Sequence, residues 1–316
     1  MSSGEGAEPD SAGPQLNLFI QGMRRSGTTI LYDALLADPA LRCFYEPLRE
    51  EDVTEGGGSG ARPGDAFAET REVRREFRER RFADVPLEEF NWGGPREPAL
   101  ELEPNLPEHG RELLRYLLEL APEVAIKETR LHHKVGELVQ LAPEAVFVHL
   151  VRDPRAVAAS TLLGRRRRFD VYPDADAFFG CRTDRKLWSS RAISEALRRT
   201  GRAPGLAADS PDVMRPLAVW QSAFEATHTE GRSRFGDRYA LVRLEDVSLD
   251  PERELWRIYD RLERPLPDEV ARWARRNVRK LAPVHLGDDP RWGEALRALE
   301  MEPALEAAGY PASLDL

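Results

Sequence analysis

The chain has 316 residues, 41% of them hydrophobic and 32% charged, and a formal net charge of −9 at pH 7. That length can bury a large core and suits one α/β domain with insertions. The acidic balance argues against a general binder of nucleic acid or anionic membranes.

Two cysteines, Cys43 and Cys181, form neither a disulfide framework nor a zinc pattern. No apolar run reaches the ~18 residues that a membrane span needs. The N-terminal stretch is acidic and small, without the basic start and apolar centre of a signal peptide. The expectation is a cytoplasmic protein with a disordered tail over residues 1–14. Among 46 Lys+Arg only four are Lys (127, 134, 186 and 280). The arginine bias suits an anion binder and equally a coding bias.

Residues 16–21 read as a buried strand. Gly22-Met-Arg-Arg-Ser-Gly-Thr-Thr29 follows, and Thr28–Leu36 reads as a helix with Ile30, Leu31, Ala34 and Leu35 on one face. From Gly22 the spacing is that of a phosphate loop, G-x-x-x-x-G-x-T, but Thr28 stands where a nucleoside triphosphatase needs Lys. The cation has moved upstream to Arg25. Backbone amides at the helix start can still cradle a phosphate. An ordinary ATPase or kinase is disfavoured.

A second strand is expected over Leu41–Tyr45, ended by Glu46-Pro47. Residues 49–66 are acidic and glycine-rich, 67–82 read as a charged helix, and 83–107 as irregular, proline-rich chain containing Trp92. Helix and strand then alternate: helix Glu108–Leu120, strand Val124–Lys127, helix Lys134–Leu141, strand Ala145–Val151, helix Arg155–Leu163. Residues 164–210, with Arg165–Arg168, read as a second insertion. Helix Pro216–His228, strand Tyr239–Arg243 and helix Pro251–Leu262 precede a mostly helical end near Tyr310. This alternation predicts an α/β fold with a central parallel sheet flanked by helices.

The second informative segment is Val148-His-Leu-Val-Arg-Asp-Pro-Arg155, continuing to Ser160. A hydrophobic strand delivers Arg152 at its C-terminal end, where α/β proteins bind ligands. Ser160 lies eight residues on, about 11 Å of helical rise away. Each residue alone is compatible with an ion pair or with packing. Beside the first loop, the two together point to a second phosphate.

These segments resemble the sulfotransferases that use 3′-phosphoadenosine 5′-phosphosulfate (PAPS). Arg25-Ser-Gly-Thr-Thr29 is similar to their 5′-phosphosulfate loop, and Arg152 with Ser160 to their 3′-phosphate site. The resemblance is strongest to Golgi-type carbohydrate sulfotransferases, with a secondary likeness to tyrosylprotein sulfotransferases. Phe44-Tyr-Glu-Pro47, Ala125-Ile-Lys-Glu-Thr-Arg-Leu131, Leu241–Pro251, Trp292 and Gly309-Tyr310 extend it across about residues 17–310. It implies a phosphate-loop nucleotide-hydrolase-like fold, with residues 15–316 as one sulfotransferase domain and acceptor-side insertions at about 49–107 and 164–210.

The resemblance also implies roles. Arg24, Arg25, Ser26, Gly27, Thr28, Thr29, Arg152 and Ser160 would bind the nucleotide. Arg25 and Lys127 would be the catalytic cations at the departing phosphate, and Glu46 the general base. Glu128, His132 and His133 are rival bases. No metal is expected, and the partner is a small-molecule hydroxyl acceptor, with no nucleic acid, no membrane and an unassigned oligomeric state. Carbohydrates and glycosylated natural products lead as acceptors, with tyrosine or phenol next. A nucleotide kinase and a non-catalytic phosphoadenosine-binding protein are the competing readings.

One departure stands out. Leu244 occupies a position where the family often has Tyr, so no adenine-stacking residue is nominated. Arg243, Glu245 and Asp246 serve either the nucleotide or a structural ion-pair group. Arg165–Arg168 reads as a solvated charge run or an anion attractor. Trp92, Phe178, Phe179 and Trp188 are candidates for stacking on an acceptor or for satellite core.

Overall fold

The computed structural model describes residues 16–49, 68–86, 89–90, 92–93, 97–164, 170–182 and 187–311. The tail at 1–14, almost all of the glycine-rich stretch at 49–66 and the run Arg165–Arg168 lie outside the described residues.

Five parallel strands form one sheet in the order β2-β3-β1-β4-β5, with β1 Leu16–Gln21, β2 Arg42–Tyr45, β3 Glu123–Glu128, β4 Val146–Val151 and β5 Tyr239–Arg243. The chain leaves β1 toward β2 on one side and leaves β4 toward β5 on the other. The two departing loops therefore diverge between β1 and β4, opening the crevice in which such sheets bind ligands.

Strand side chains alternate between faces. Leu18, Ile20, Ala125, Val146, Val148 and Leu150 pack on one face against α1 (Thr28–Leu35), α10 (Pro251–Arg261) and α11 (Asp268–Asn277). Phe19, Val124, Ile126 and Phe147 face the other way, toward α2 (Ala68–Arg81), α3 (Glu108–Glu119) and α4 (Val135–Leu141). A third cluster joins α5 (Pro154–Leu163), α6 (Ala175–Gly180), α7 (Trp188–Arg199), α8 (Met214–Phe235), α12 (Arg291–Ala298) and α13 (Glu302–Ala307).

The expected strands stand within one or two residues of their predicted ends. Two regions carry more structure than their sequence suggested. The stretch 164–210 contains α6 and α7, because Ile193 and Leu197, one turn apart, bury one face of α7. The proline-rich stretch 83–107 contains a 3₁₀ helix at Pro98–Leu102. Helix α8 also runs further than expected, since its Pro216 sits in the first turn, where a missing amide proton does no harm. Its C-terminal extension ends at Gly236, φ 56°.

The aromatic candidates divide. Trp92 is buried, stacked on Phe90 with the Arg74 guanidinium 4.7 Å from its ring. Phe178 and Phe179 are buried against Trp292. These three are core rather than stacking surface, and only Trp188, 58% exposed, faces solvent.

Candidate active site

The loop after β1 is shaped by two left-handed residues, Arg25 at φ 77° and Gly27 at φ 88°. The Ser26 amide closes the turn by donating to the Met23 carbonyl (3.0 Å), so it is already committed. Helix α1 then starts with no side-chain cap at Gly27 and no acidic residue in its first turn. Its N-terminal amides remain available to an anion. Gly22 is required for close packing, because a Cβ there would lie 2.5 Å from the Leu150 carbonyl oxygen and 2.7 Å from Thr28 Cγ2.

Helix α5 starts after β4, with Asp153 as N-cap accepting from the Arg155 amide (2.8 Å). The two strand-to-helix junctions touch. Arg152 donates to the Arg25 carbonyl (3.1 Å), and Arg25 Nε donates to Ser160 Oγ (2.9 Å). Arg152 Nε and Ser26 Oγ are buried with no hydrogen-bond partner. Orphaned donors of this kind are costly unless a ligand completes them, and an oxyanion fits these residues.

Strand register positions the third group. Tyr45 lies beside Lys127, and Lys127 beside Ile20. Lys127 shares the face of Ala125, toward α1. Its ammonium, 1% exposed, is ion-paired with Glu46 Oε1 and sits 4.0 Å from the centre of the Tyr45 ring. This is the anion partner that a buried lysine needs. Glu46 itself has φ 44°, and its amide donates to the Lys127 carbonyl (2.7 Å). That turn aims the carboxylate back over β3. Tyr45 OH and Thr29 Oγ1 are 2.9 Å apart, tying the first loop to this corner.

The rival bases point elsewhere. Glu128, one residue after Lys127, faces the opposite side of the sheet and accepts from the Leu48 amide (2.8 Å). Burial, with Glu46 nearby, raises its carboxyl to about 7. His132 is buried between Gln21 and Thr227, and burial lowers it to about 3. His133 contacts Ser222 and Arg202 at a separate surface cavity and is lowered to about 4, burial leading and Arg202 adding. His149 is a core residue hydrogen-bonded to Tyr239 OH (2.9 Å).

A cavity of about 440 Å³ is lined by Arg25, Gly27, Thr28, Thr29, Glu46, Lys127, Arg152 and Ser160. Arg24 lines it too, but its guanidinium turns toward Glu101 (3.4 Å). A second cavity of about 170 Å³ shares Arg152 and Ser160 and runs under Ala282–His285. Tyr45, Thr129 and Arg130 were present in the motif segments without being singled out. The segment Ala282–His285 carries no motif and reaches the site only through folding.

Arg243 binds Asp246 (2.7 Å) and the Gly309 carbonyl, while Glu245 accepts from the Asp153 amide (3.0 Å) and from Tyr310 OH (2.8 Å). This group braces the start of α5 against the C-terminal segment. Leu244 packs on Gly27, whose hypothetical Cβ would meet Leu244 Cδ2 at 2.6 Å. Among the described residues, no helix is long and apolar enough to cross a membrane, and no cluster of three or more His, Cys, Asp or Glu is placed to hold a metal.

Comparison with known proteins agrees with this architecture. No curated protein matches the chain. The crystal structure of sulfotransferase STF9 from Mycobacterium avium is similar in fold, at 14% identity and TM-score 0.52, covering 95% of this chain and 78% of that one. The sulfotransferase domain of the Synechococcus PCC 7002 olefin synthase aligns at 16% identity and TM-score 0.42, covering 94% and 98%. A model of the sulfotransferase family matches residues 17–192, more than half the chain. With that match and the phosphate-loop architecture around the β1–β4 crevice, the chain belongs to the sulfotransferase family.

Proposed function

We infer that the donor is PAPS and that the acceptor is a hydroxyl of a carbohydrate or a glycosylated, natural-product-like small molecule. The observation that carries the donor assignment is the double contact of Arg25: its carbonyl holds Arg152 and its Nε holds Ser160. One residue thus joins the two junctions, and a nucleotide with phosphates at both ends matches two anion sites this close. In this reading the amides of Gly27, Thr28 and Thr29 hold the 5′-phosphate, Ser26 shapes the turn, and Arg152 and Ser160 take the 3′-phosphate. The cavity under Ala282–His285 receives the adenosine end.

The chemistry then needs few groups. Glu46 accepts the proton of the acceptor hydroxyl as its oxygen forms the new bond to sulfur. The bond from sulfur to the bridging phosphate oxygen breaks, and Lys127 and Arg25 stabilise the charge that collects there. The Lys127–Glu46 ion pair, both members lining the same cavity, supports this division of roles.

Calorimetry with 3′-phosphoadenosine 5′-phosphate (PAP), set against ATP with Mg²⁺, tests the donor. Tighter binding of PAP is expected. Preference for ATP would overturn the assignment in favour of phosphoryl transfer. Transfer of label from ³⁵S-PAPS across a panel of sugars, glycosides and phenols then tests the acceptor. A phenol-only pattern would replace the carbohydrate reading.

A further inference from the structure

The donor reading uses Arg25, Lys127 and Arg152. It leaves three other cavity-lining cations: Arg49, which lies 4.0 Å from Glu46 Oε2, and the pair Arg24 and Arg130. Both turn to one carboxylate. Arg24 is 3.4 Å and Arg130 3.5 Å from the same oxygen, Glu101 Oε1. Those distances exceed the 2.7–2.9 Å of a charge-assisted hydrogen bond. Glu101 Oε1 is accordingly buried with no hydrogen-bond partner. Two guanidiniums share one acid, neither closes on it, and one positive charge is left over.

The main chain that carries Glu101 is held in place. Lys134, itself buried, donates to the carbonyls of Leu100 (3.4 Å), Glu101 (3.2 Å) and Glu103, fixing the backbone of the 3₁₀ helix. Burial, reinforced by Arg130, also holds the Arg24 guanidinium below its usual range. A second anion lying between the two arginines would relieve both effects. Like charges set side by side around one acid, each side chain only 24–30% exposed, repel one another, so a purely structural arrangement would be better served by one arginine.

We propose that Arg24 and Arg130, set against Glu101, recognise an oxyanion group carried by the acceptor, so that the substrate is an anionic alcohol. The patch adjoins Glu46, which faces the same cavity. The anion anchors the substrate, and the hydroxyl elsewhere on it is presented to the base. This assignment rests on the sulfotransferase reading of the cavity, and its charge argument is independent of which nucleotide is the donor.

The test compares three probes by calorimetry on PAP-saturated and on nucleotide-free protein: benzyl alcohol, 4-(hydroxymethyl)benzoate and 4-(hydroxymethyl)phenyl phosphate. At least one anionic probe is expected to bind 10-fold or more tightly than benzyl alcohol, and the two anionic arms separate carboxylate from phosphate recognition. Arg130→Gln should erase that preference. Glu101→Gln should strengthen it, because removing the competing acid frees both guanidiniums; a merely structural Glu101 would not have this effect. Equal affinity for neutral and anionic probes, no binding of any probe, or a preference that survives in Arg130→Gln would overturn the proposal. Failure of PAP to bind, with the Arg130-dependent preference intact, would instead defeat the donor assignment and leave the anion patch standing.

Discussion

Arg25 Nε donates to Ser160 Oγ at 2.9 Å across 135 positions of the chain. The two groups belong to different phosphate sites in the donor reading, so the sites are coupled before any nucleotide arrives. Arg152 completes the coupling through the Arg25 carbonyl. Arg152→Ala should weaken PAP binding by about 1.5–3 kcal/mol, the worth of a hydrogen bond to a charged group. Ser160→Ala should cost less, about 0.5–1.5 kcal/mol. Calorimetric titration checks both, and unchanged affinity in Arg152→Ala would remove it from the site.

Arg25→Ala should lower turnover more than it weakens PAP affinity, because a cation at the departing oxygen acts chiefly in the transition state. Single-turnover rates with ³⁵S-PAPS, set beside PAP titrations, measure the two effects separately. Loss of binding without further loss of rate would make Arg25 a binding residue alone.

Glu46→Gln removes the proposed base and the anion beside a buried ammonium. Turnover should fall by roughly 10²–10⁴, the usual worth of a general base, with PAP affinity near wild type. Stability should fall as well, by at most about 3–5 kcal/mol, because Lys127 loses its charged partner. The double variant Glu46→Gln with Lys127→Met should be less destabilised than the sum of the singles, which urea titrations of all four proteins would show. Additive losses would mean that the pair contributes nothing jointly.

Glu128 gives stability a pH dependence of known sign. Its carboxyl is raised from 4.5 to about 7 by burial and the nearby Glu46. Below pH 4.5 both folded and unfolded chains hold the proton. Above it the unfolded chain releases the proton first, so this contribution to stability declines as pH rises toward 7 and beyond. The window amounts to about 3 kcal/mol at 1.36 kcal/mol per unit. Glu128→Gln keeps an acceptor for the Leu48 amide and removes the titration. Relative to wild type it should gain about 2–3 kcal/mol between pH 5 and pH 8 in denaturant melts. An identical stability difference at the two pH values would contradict the buried-acid account.

Gly22→Ala should disturb folding through one contact. The added methyl would meet a backbone oxygen, Leu150 O, at 2.5 Å, and that oxygen belongs to a central strand with no room to yield. Overpacking of this kind costs about 1–3 kcal/mol. Thermal melts with and without PAP should show a lowered Tm and a weakened ligand-induced shift together, since the same glycine lets the loop nest on the sheet.

Much of this was legible in the chain. Local hydrophobic pattern and turn residues carry strand and helix identity, so β1, β4 and β5 were readable nearly to the residue. The phosphate loop was readable because its glycines answer a local backbone requirement, as the left-handed φ of Gly27 illustrates. The resemblance carried Arg25, Glu46, Lys127, Arg152 and Ser160 into one cavity, where the structure finds them. Helices α6 and α7 were obscured by flanking charge and aromatics, and Ala282–His285 had no local signature.

Sequence alone determined the α/β alternation, because period and turn signals recur locally along the chain, and the displaced cation at Arg25, because that loop is written within about ten consecutive residues. Only the tertiary structure decided partnerships. It paired Lys127 with Glu46, turned Glu128 and His132 away from the cavity, and left Arg24 and Arg130 sharing Glu101. Those outcomes follow from strand register and sheet order, which bring distant segments to one edge and give neighbouring side chains opposite faces.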